Sequence, residues 1–276
     1  MHILPITWHI GVALSSLYLS PIAGPDAPVA QPIKVFILAR QSNMEGAGRF
    51  TSTLLENGGP GSLEHLVKNP TTSKQFGALV DSAGKWRTRD DVWISYGDRK
   101  GLVSVGYGSS SETIGLELGF GWLNGDTIDE PVLLIKGASG GKRLAVDFRS
   151  RSAGESPDSL GATTDVAVTA APSMIRTYCR EVLAQTKAPL SNLGVLGICG
   201  NRTMLAGVGW YQGWNGNLND LFNNESESNM RHFMHDLRRD LGVRKLPSVI
   251  AETGLNGATE THPQVLSQGR ASGSCA

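Results

Sequence analysis

The chain has 276 residues, 40% of them apolar, which is enough for one sizeable core. Lys+Arg and Asp+Glu both number 25, so the formal net charge is zero. No basic excess points to nucleic acid, and no acidic block points to a solvated tail.

From the N-terminus, Ile3 to Leu19 is largely apolar and is followed by small residues at Ala23-Gly24 and Ala27 to Ala30. That layout matches an export signal, so residues 1–30 are read as a leader and 31–276 as a single domain. A retained membrane anchor or an irregular leader is the rival reading. Against it, Pro5 and Pro21 bracket a run too short and interrupted for a membrane span, so no stable insertion is expected after cleavage.

Four short apolar runs read as parallel core strands: Ile33 to Ala39, Pro131 to Lys136, Gly207 to Tyr211 and Pro247 to Ala251. Helical stripes lie between them. Ile114, Leu118 and Trp122 form the first. Met174, Ile175, Tyr178, Val182 and Leu183 form the second, behind Pro172. The third holds Met230, Phe233, Met234, Leu237 and Leu241. Asn224 and Glu227 resemble a capping box ahead of it, and Gly242 is its stop. Strands alternating with helices imply an α/β fold with a parallel sheet covered on both faces. Thr51 to Tyr107 is long and polar and reads as an insertion carrying a small hairpin. Gly154 to Thr164 reads as a second flexible loop. Cys179, Cys199 and Cys275 are three. The first two can bridge in an oxidising compartment, or all three are incidental thiols.

The chemistry-bearing residues gather at strand ends, where open α/β sheets place ligands. Gln41-Ser42-Asn43 follows the first strand, Gly140-Gly141-Lys142 the second, and Gln212 the third. Acyl transfer needs a nucleophile, a base and donors aimed at the developing oxyanion. Ser42 can be the nucleophile. Glycine amides at Gly140-Gly141 approach an oxyanion unhindered, and the Gln212 carboxamide can donate a further hydrogen bond.

These blocks carry a resemblance. Val35 to Gly46, Ile135 to Phe148, and Trp210-Tyr211-Gln212-Gly213-Trp214-Asn215 resemble, in order, three blocks of the sialate O-acetylesterase-like branch of SGNH hydrolases, related to carbohydrate esterase family six. Asp91-Val92-Trp93 and Ile250-Ala251-Glu252 also fit. The resemblance spans about residues 33–263. It implies a three-layer, flavodoxin-like α/β/α sandwich and hydrolysis of acetyl esters on sugars, with no metal or cofactor. It also implies that Ser42 attacks the acetyl carbonyl while the Ser42 amide, a Gly140-Gly141 amide and Gln212 hold the oxyanion. An acetylated carbohydrate is then the partner, in a secreted or periplasmic setting.

Three departures stand beside this. The resemblance implies an Asp-x-x-His near the C-terminus, but Gln268 to Ala276 holds none, and no apolar run there completes the sheet. The fold is therefore expected to lack its last elements, as in a truncated product. His262 is the histidine nearest the end of a late strand, with Glu260 and Glu252 close in sequence. Arg40 replaces the small glycine usual before Gln-Ser-Asn; it either crowds the turn or faces solvent harmlessly. Ser139 and Gly216 replace an aromatic and an acid beside the pocket. Trp86, Trp93, Trp210 and Trp214 are either a sugar-stacking platform or core. Lys142, Arg143 and Arg149 to Arg151 read as a solvated edge.

The leading function is thus a carbohydrate O-acetylesterase. The rival is a carbohydrate-binding pseudoenzyme or inactive fragment. A flavodoxin-like nucleotide binder lacks any Gly-rich phosphate fingerprint after a strand. The sequence leaves the oligomeric state and the particular sugar open.

Overall fold

Ile33–Arg40 (β1) is buried along most of its length and lies in the middle of the sheet. The structure, a computed structural model, describes residues 32–52, 59–155, 203–211 and 220–251. Among these, the order of the main sheet is β4-β3-β6-β1-β7-β8. The other strands are β2 (Gly48–Arg49), β3 (Arg89–Tyr96), β4 (Arg99–Val103), β5 (Thr113–Ile114), β6 (Val132–Ala138), β7 (Thr203–Tyr211) and β8 (Ser248–Ala251). In the main sheet β1 pairs in parallel with β6 and β7, β6 with β3, and β7 with β8, and only β4 runs antiparallel; β2 and β5 form a separate antiparallel pair. The four expected strands are β1, β6, β7 and β8. β7 begins earlier than expected, at Thr203.

The helices are α1 (Ser42–Glu45), α2 (Leu63–Lys68), α3 (Ser73–Phe76), α4 (Leu116–Thr127), α5 (Asp220–Asn224) and α6 (Ser226–Leu241). They cover the two faces of the sheet. On one face, Leu118 of α4 packs with Leu38, Met44, Val92, Ile94, Val132 and Leu134. On the other, Met230, Phe233, Met234 and Leu237 of α6 pack with Ile37, Ala39, Val208 and Trp210. Fully burying each such side chain is worth about 1.5–3 kcal/mol. The helices are therefore held mainly by this packing rather than by intrinsic propensity. Gly242 stops α6 in the left-handed conformation (φ 72°), its N–H donating to the Arg238 and Arg239 carbonyls.

Four expectations change. The stretch read as an insertion holds a hairpin, but its first strand is β3, a parallel member of the main sheet. Val92 and Ile94 face the core, while Arg89 is neutralised by Asp91 and Asp126, so the charges flank a genuine strand. Ile114 belongs to β5, paired with β2, and α4 begins two residues later. The capping box does not form: Asn224 closes α5, Glu225 is the cap of α6 without a side-chain bond, and Glu227 pairs with Arg231. Arg149 is no solvated edge. Its side chain is 9% exposed and binds Glu225 and Asn229 on α6. The second helical stripe, Cys179, Cys199, Cys275 and Gly154 to Thr164 beyond Glu155 lie outside the described residues.

Candidate active site

β1 delivers Ser42 to the carboxyl edge of the sheet. Ser42 opens α1, one turn long, and is exposed, while Met44 anchors the turn in the core with no exposure. The Glu45 and Gly46 amides donate to the Gln41 and Ser42 carbonyls, each at 2.8 Å. Gly46 has φ 85°, and a Cβ there would lie 2.1 Å from Gly115 Cα. Only glycine lets the chain turn this close to the start of α4.

β6 ends level with β1: Arg40 is in register with Ala138, and the Ser139 amide donates to the Arg40 carbonyl at 3.0 Å. Gly140 and Gly141 follow at once, both exposed, with Gly141 at φ 74°. A Cβ on Gly140 would lie 3.1 Å from Glu45 Oε2, so the glycine loop adjoins the Ser42 turn. Asp147 closes this loop, accepting from the Arg143 amide at 2.8 Å and pairing with Lys142 at 3.2 Å. β7 ends level too, with Trp210 in register with Ala39. Gln212 lies one residue past β7 and outside the described residues, as do Trp214, Gly216, Glu252, Glu260 and His262. The structure thus brings Ser42, Gly140 and Gly141 to one edge.

Arg40 neither faces solvent nor simply crowds the turn. It is the one described non-glycine residue with positive φ (139°) and has no exposure. That backbone turns its side chain from the α4 face, where Leu38 points, to the α6 face. There the guanidinium lies over Trp210 and Phe148. None of its nitrogens has a hydrogen-bond partner among the described residues. Burial pushes it well below the usual arginine range, with Asp147 opposing. The Gln41 carboxamide is likewise buried and has no hydrogen-bond partner among the described residues. Trp210 is core (1% exposed), and Trp86 and Trp93 are partly buried against apolar clusters, so these three are packing residues.

Beneath Ser42 lies a polar cluster that the sequence reading missed. Lys136, wholly buried on β6, donates to the Glu45 carbonyl (2.7 Å), the Tyr107 carbonyl (2.7 Å) and Glu117 Oε2 (2.6 Å). The Gly115 amide donates to Glu117 Oε1 at 2.7 Å. Tyr96 places its ring centroid 4.6 Å from Lys136 Nζ and shares its hydroxyl proton between Glu45 Oε1 (3.2 Å) and the Ala138 carbonyl (3.1 Å). Burial pushes Lys136 down and Glu117 up, each opposed by the other's charge. Burial also raises Tyr96, with Glu45 adding to the shift. The available signal was a lysine inside an otherwise apolar strand, since a buried charge demands a partner.

The three described histidines are engaged elsewhere: His65 beside Asn69, His232 on Ser152 at 3.0 Å, and His235 beside Asp236. Among the described residues no cluster of His, Cys, Asp and Glu could hold a metal ion, and no helix is long and apolar enough to cross a membrane.

A mostly parallel sheet between two helical layers makes this an α/β protein, with the Ser42 turn at the end of its central strand. The family model "Carbohydrate esterase, sialic acid-specific acetylesterase" matches residues 32–272, and the chain belongs to this family of esterases. Among solved structures, an Arabidopsis thaliana protein shares the fold, with TM-score 0.52 and 16% identity over 89% of this chain and 82% of that one. NanS gives TM-score 0.47 and 13% identity over 89% of this chain and 73% of that one. A carbohydrate acetylesterase from Xanthomonas citri gives 0.44 and 12% over 86% of this chain and 47% of that one. No curated protein matches this chain significantly.

Proposed function

We propose that the chain is an exported carbohydrate O-acetylesterase in which Ser42 attacks the acetyl carbonyl. The Ser42 amide, a Gly140-Gly141 amide and the Gln212 carboxamide hold the oxyanion. The observation that carries this reading is the junction of the Ser42 turn and the glycine loop, tied by the Ser139 amide on the Arg40 carbonyl. An exposed serine beside two exposed glycines fits the arrangement that acyl transfer uses, and loss of one oxyanion donor typically costs about 10²–10³ in rate. The base comes from outside the described residues, and His262 is the candidate that the sequence offers. Turnover of p-nitrophenyl acetate, acetylated xylan and O-acetylated sialic acid is measured for the wild type, Ser42→Ala and His262→Ala. Loss of activity in Ser42→Ala is expected; equal activity in both serine forms overturns the reading.

A second reading, a sugar-binding protein without turnover, is favoured by the engagement of all three described histidines elsewhere. Binding of acetylated glycans with no hydrolysis, unchanged in Ser42→Ala, supports it; failure to bind them removes it.

A further inference from the structure

We propose that Lys136 and Glu117 are positioning residues that tether the nucleophile turn from below. The inference rests on Ser42 being the reacting group. α1 is a single turn, too short to hold its own geometry, and its last carbonyls lack helical partners. One of them, that of Glu45, is taken by the Lys136 ammonium. The same nitrogen takes the Tyr107 carbonyl and the Glu117 carboxylate. Glu117 in turn holds the Gly115 amide, at the place where α4 passes under Gly46. One ammonium therefore joins four segments: β6, the end of α1, the loop at Tyr107 and the start of α4. Tyr96 closes the ring by reaching both Glu45 and the last carbonyl of β6.

Stability alone does not account for this. A buried ion pair can usually be replaced by apolar residues of similar volume without loss. Lys136 lies among such residues, between Leu134 and Ala138 on the face that packs α4. An apolar pair would fill the space but could not grip the Glu45 carbonyl. The grip fixes the last residue of α1, and hence the direction in which Ser42 projects toward the Gly140-Gly141 loop. Misplacing a reacting group by about 1 Å costs on the order of 10²-fold in rate.

Full-length wild type, Lys136→Met, Glu117→Leu and the double variant are compared by thermal midpoint, by kcat and KM on p-nitrophenyl acetate, and by hydrogen exchange of the Glu45 and Gly46 amides. Both single variants are expected to lower the midpoint, because each strands a buried polar partner. The double variant is expected to regain the midpoint, yet to keep a kcat reduced about tenfold or more with KM little changed. It also keeps faster exchange at Glu45 and Gly46 than the wild type. A double variant that regains both kcat and amide protection overturns the proposal, because the pair is then only packing. Unchanged kcat and exchange in the single variants overturns it too. If Ser42→Ala keeps wild-type turnover, the nucleophile assignment has failed, and amide exchange alone still decides whether the tether exists.

Discussion

The Arg40 guanidinium sits 4.8 Å from the centre of the Trp210 ring, inside the apolar cluster beneath α6, with no hydrogen-bond partner among the described residues. A cation–π contact is worth about 0.5–2 kcal/mol. Burying an ion costs several kcal/mol, and a left-handed backbone at a non-glycine residue adds about 1–3 kcal/mol. Among the described contacts, where only the two aromatic rings and the charge of Asp147 favour the cation, position 40 is therefore a site where the costs of the native residue exceed its gains. Arg40→Gly is expected to raise stability by about 1–3 kcal/mol, or roughly 2–4 °C in Tm per kcal/mol, with the cavity it leaves offsetting part of the gain. Calorimetry checks this; a lower Tm would show that the aromatic contact outweighs the strain.

Gly46→Ala should act in the opposite direction. Its Cβ would meet the Gly115 backbone at 2.1 Å with φ at 85°, and neither side of that contact is a movable side chain. A loss of about 1–3 kcal/mol from backbone strain alone is expected, more with the clash, together with a fall in kcat as α1 shifts. Denaturant unfolding and turnover measured on one preparation test both halves.

Lys136→Met strands the Glu117 carboxylate, which has no exposure. Breaking such a pair typically costs about 3–5 kcal/mol, whereas removing both partners is close to neutral. The expected pattern is thus a large single-variant loss with recovery in the double variant, read as a coupling energy from urea midpoints.

Glu64 offers a test against acid. Its carboxylate accepts from Lys68 Nζ and from the Ser52 amide and hydroxyl, and these bonds, Lys68 first, hold it down at about 2 against an ordinary 4.5. A depressed carboxyl contributes stability above its ordinary value and loses it as pH falls toward the folded one. Glu64→Gln should therefore narrow the gap in thermal midpoint between pH about 5 and pH about 2 relative to the wild type. An identical pH slope in the two proteins would show that the bonds to Ser52 and Lys68 add nothing. Because Glu64 is 29% and Lys68 71% exposed, solvent screening keeps the effect modest.

The legible part of the fold was apolar periodicity. β1, β6 and β8 and the buried stripe of α6 follow from runs and spacings that leave no other place for Ile37, Leu134 or Phe233. β3 was hidden because Arg89, Asp90 and Asp91 open it, and only the fold reveals that Asp126 and Asp91 neutralise the arginine. The capping box failed because local chemistry at Asn224 lost to a preceding short helix. At the site, Ser42 and Gly140-Gly141 were legible from their strand ends. The Lys136–Glu117 pair was not, since the two are 19 residues apart and meet only when α4 packs on β6. The direction of Arg40 was equally hidden, because it depends on one backbone angle.

The sheet order has a consequence for how the protein is made. β1 emerges first yet occupies the centre, and its Lys34 pairs with Val132 on one side and Met204 on the other. Its partners leave the ribosome after roughly a hundred and then roughly seventy more residues, at about 5–20 residues per second. For those seconds an apolar segment with two unsatisfied edges waits beside a serine turn that has no support beneath it. Closing such distant pairings makes folding slow. Ser42 therefore gains its surroundings only late in assembly, and the nascent chain's main hazard is premature pairing of β1 with another copy of itself.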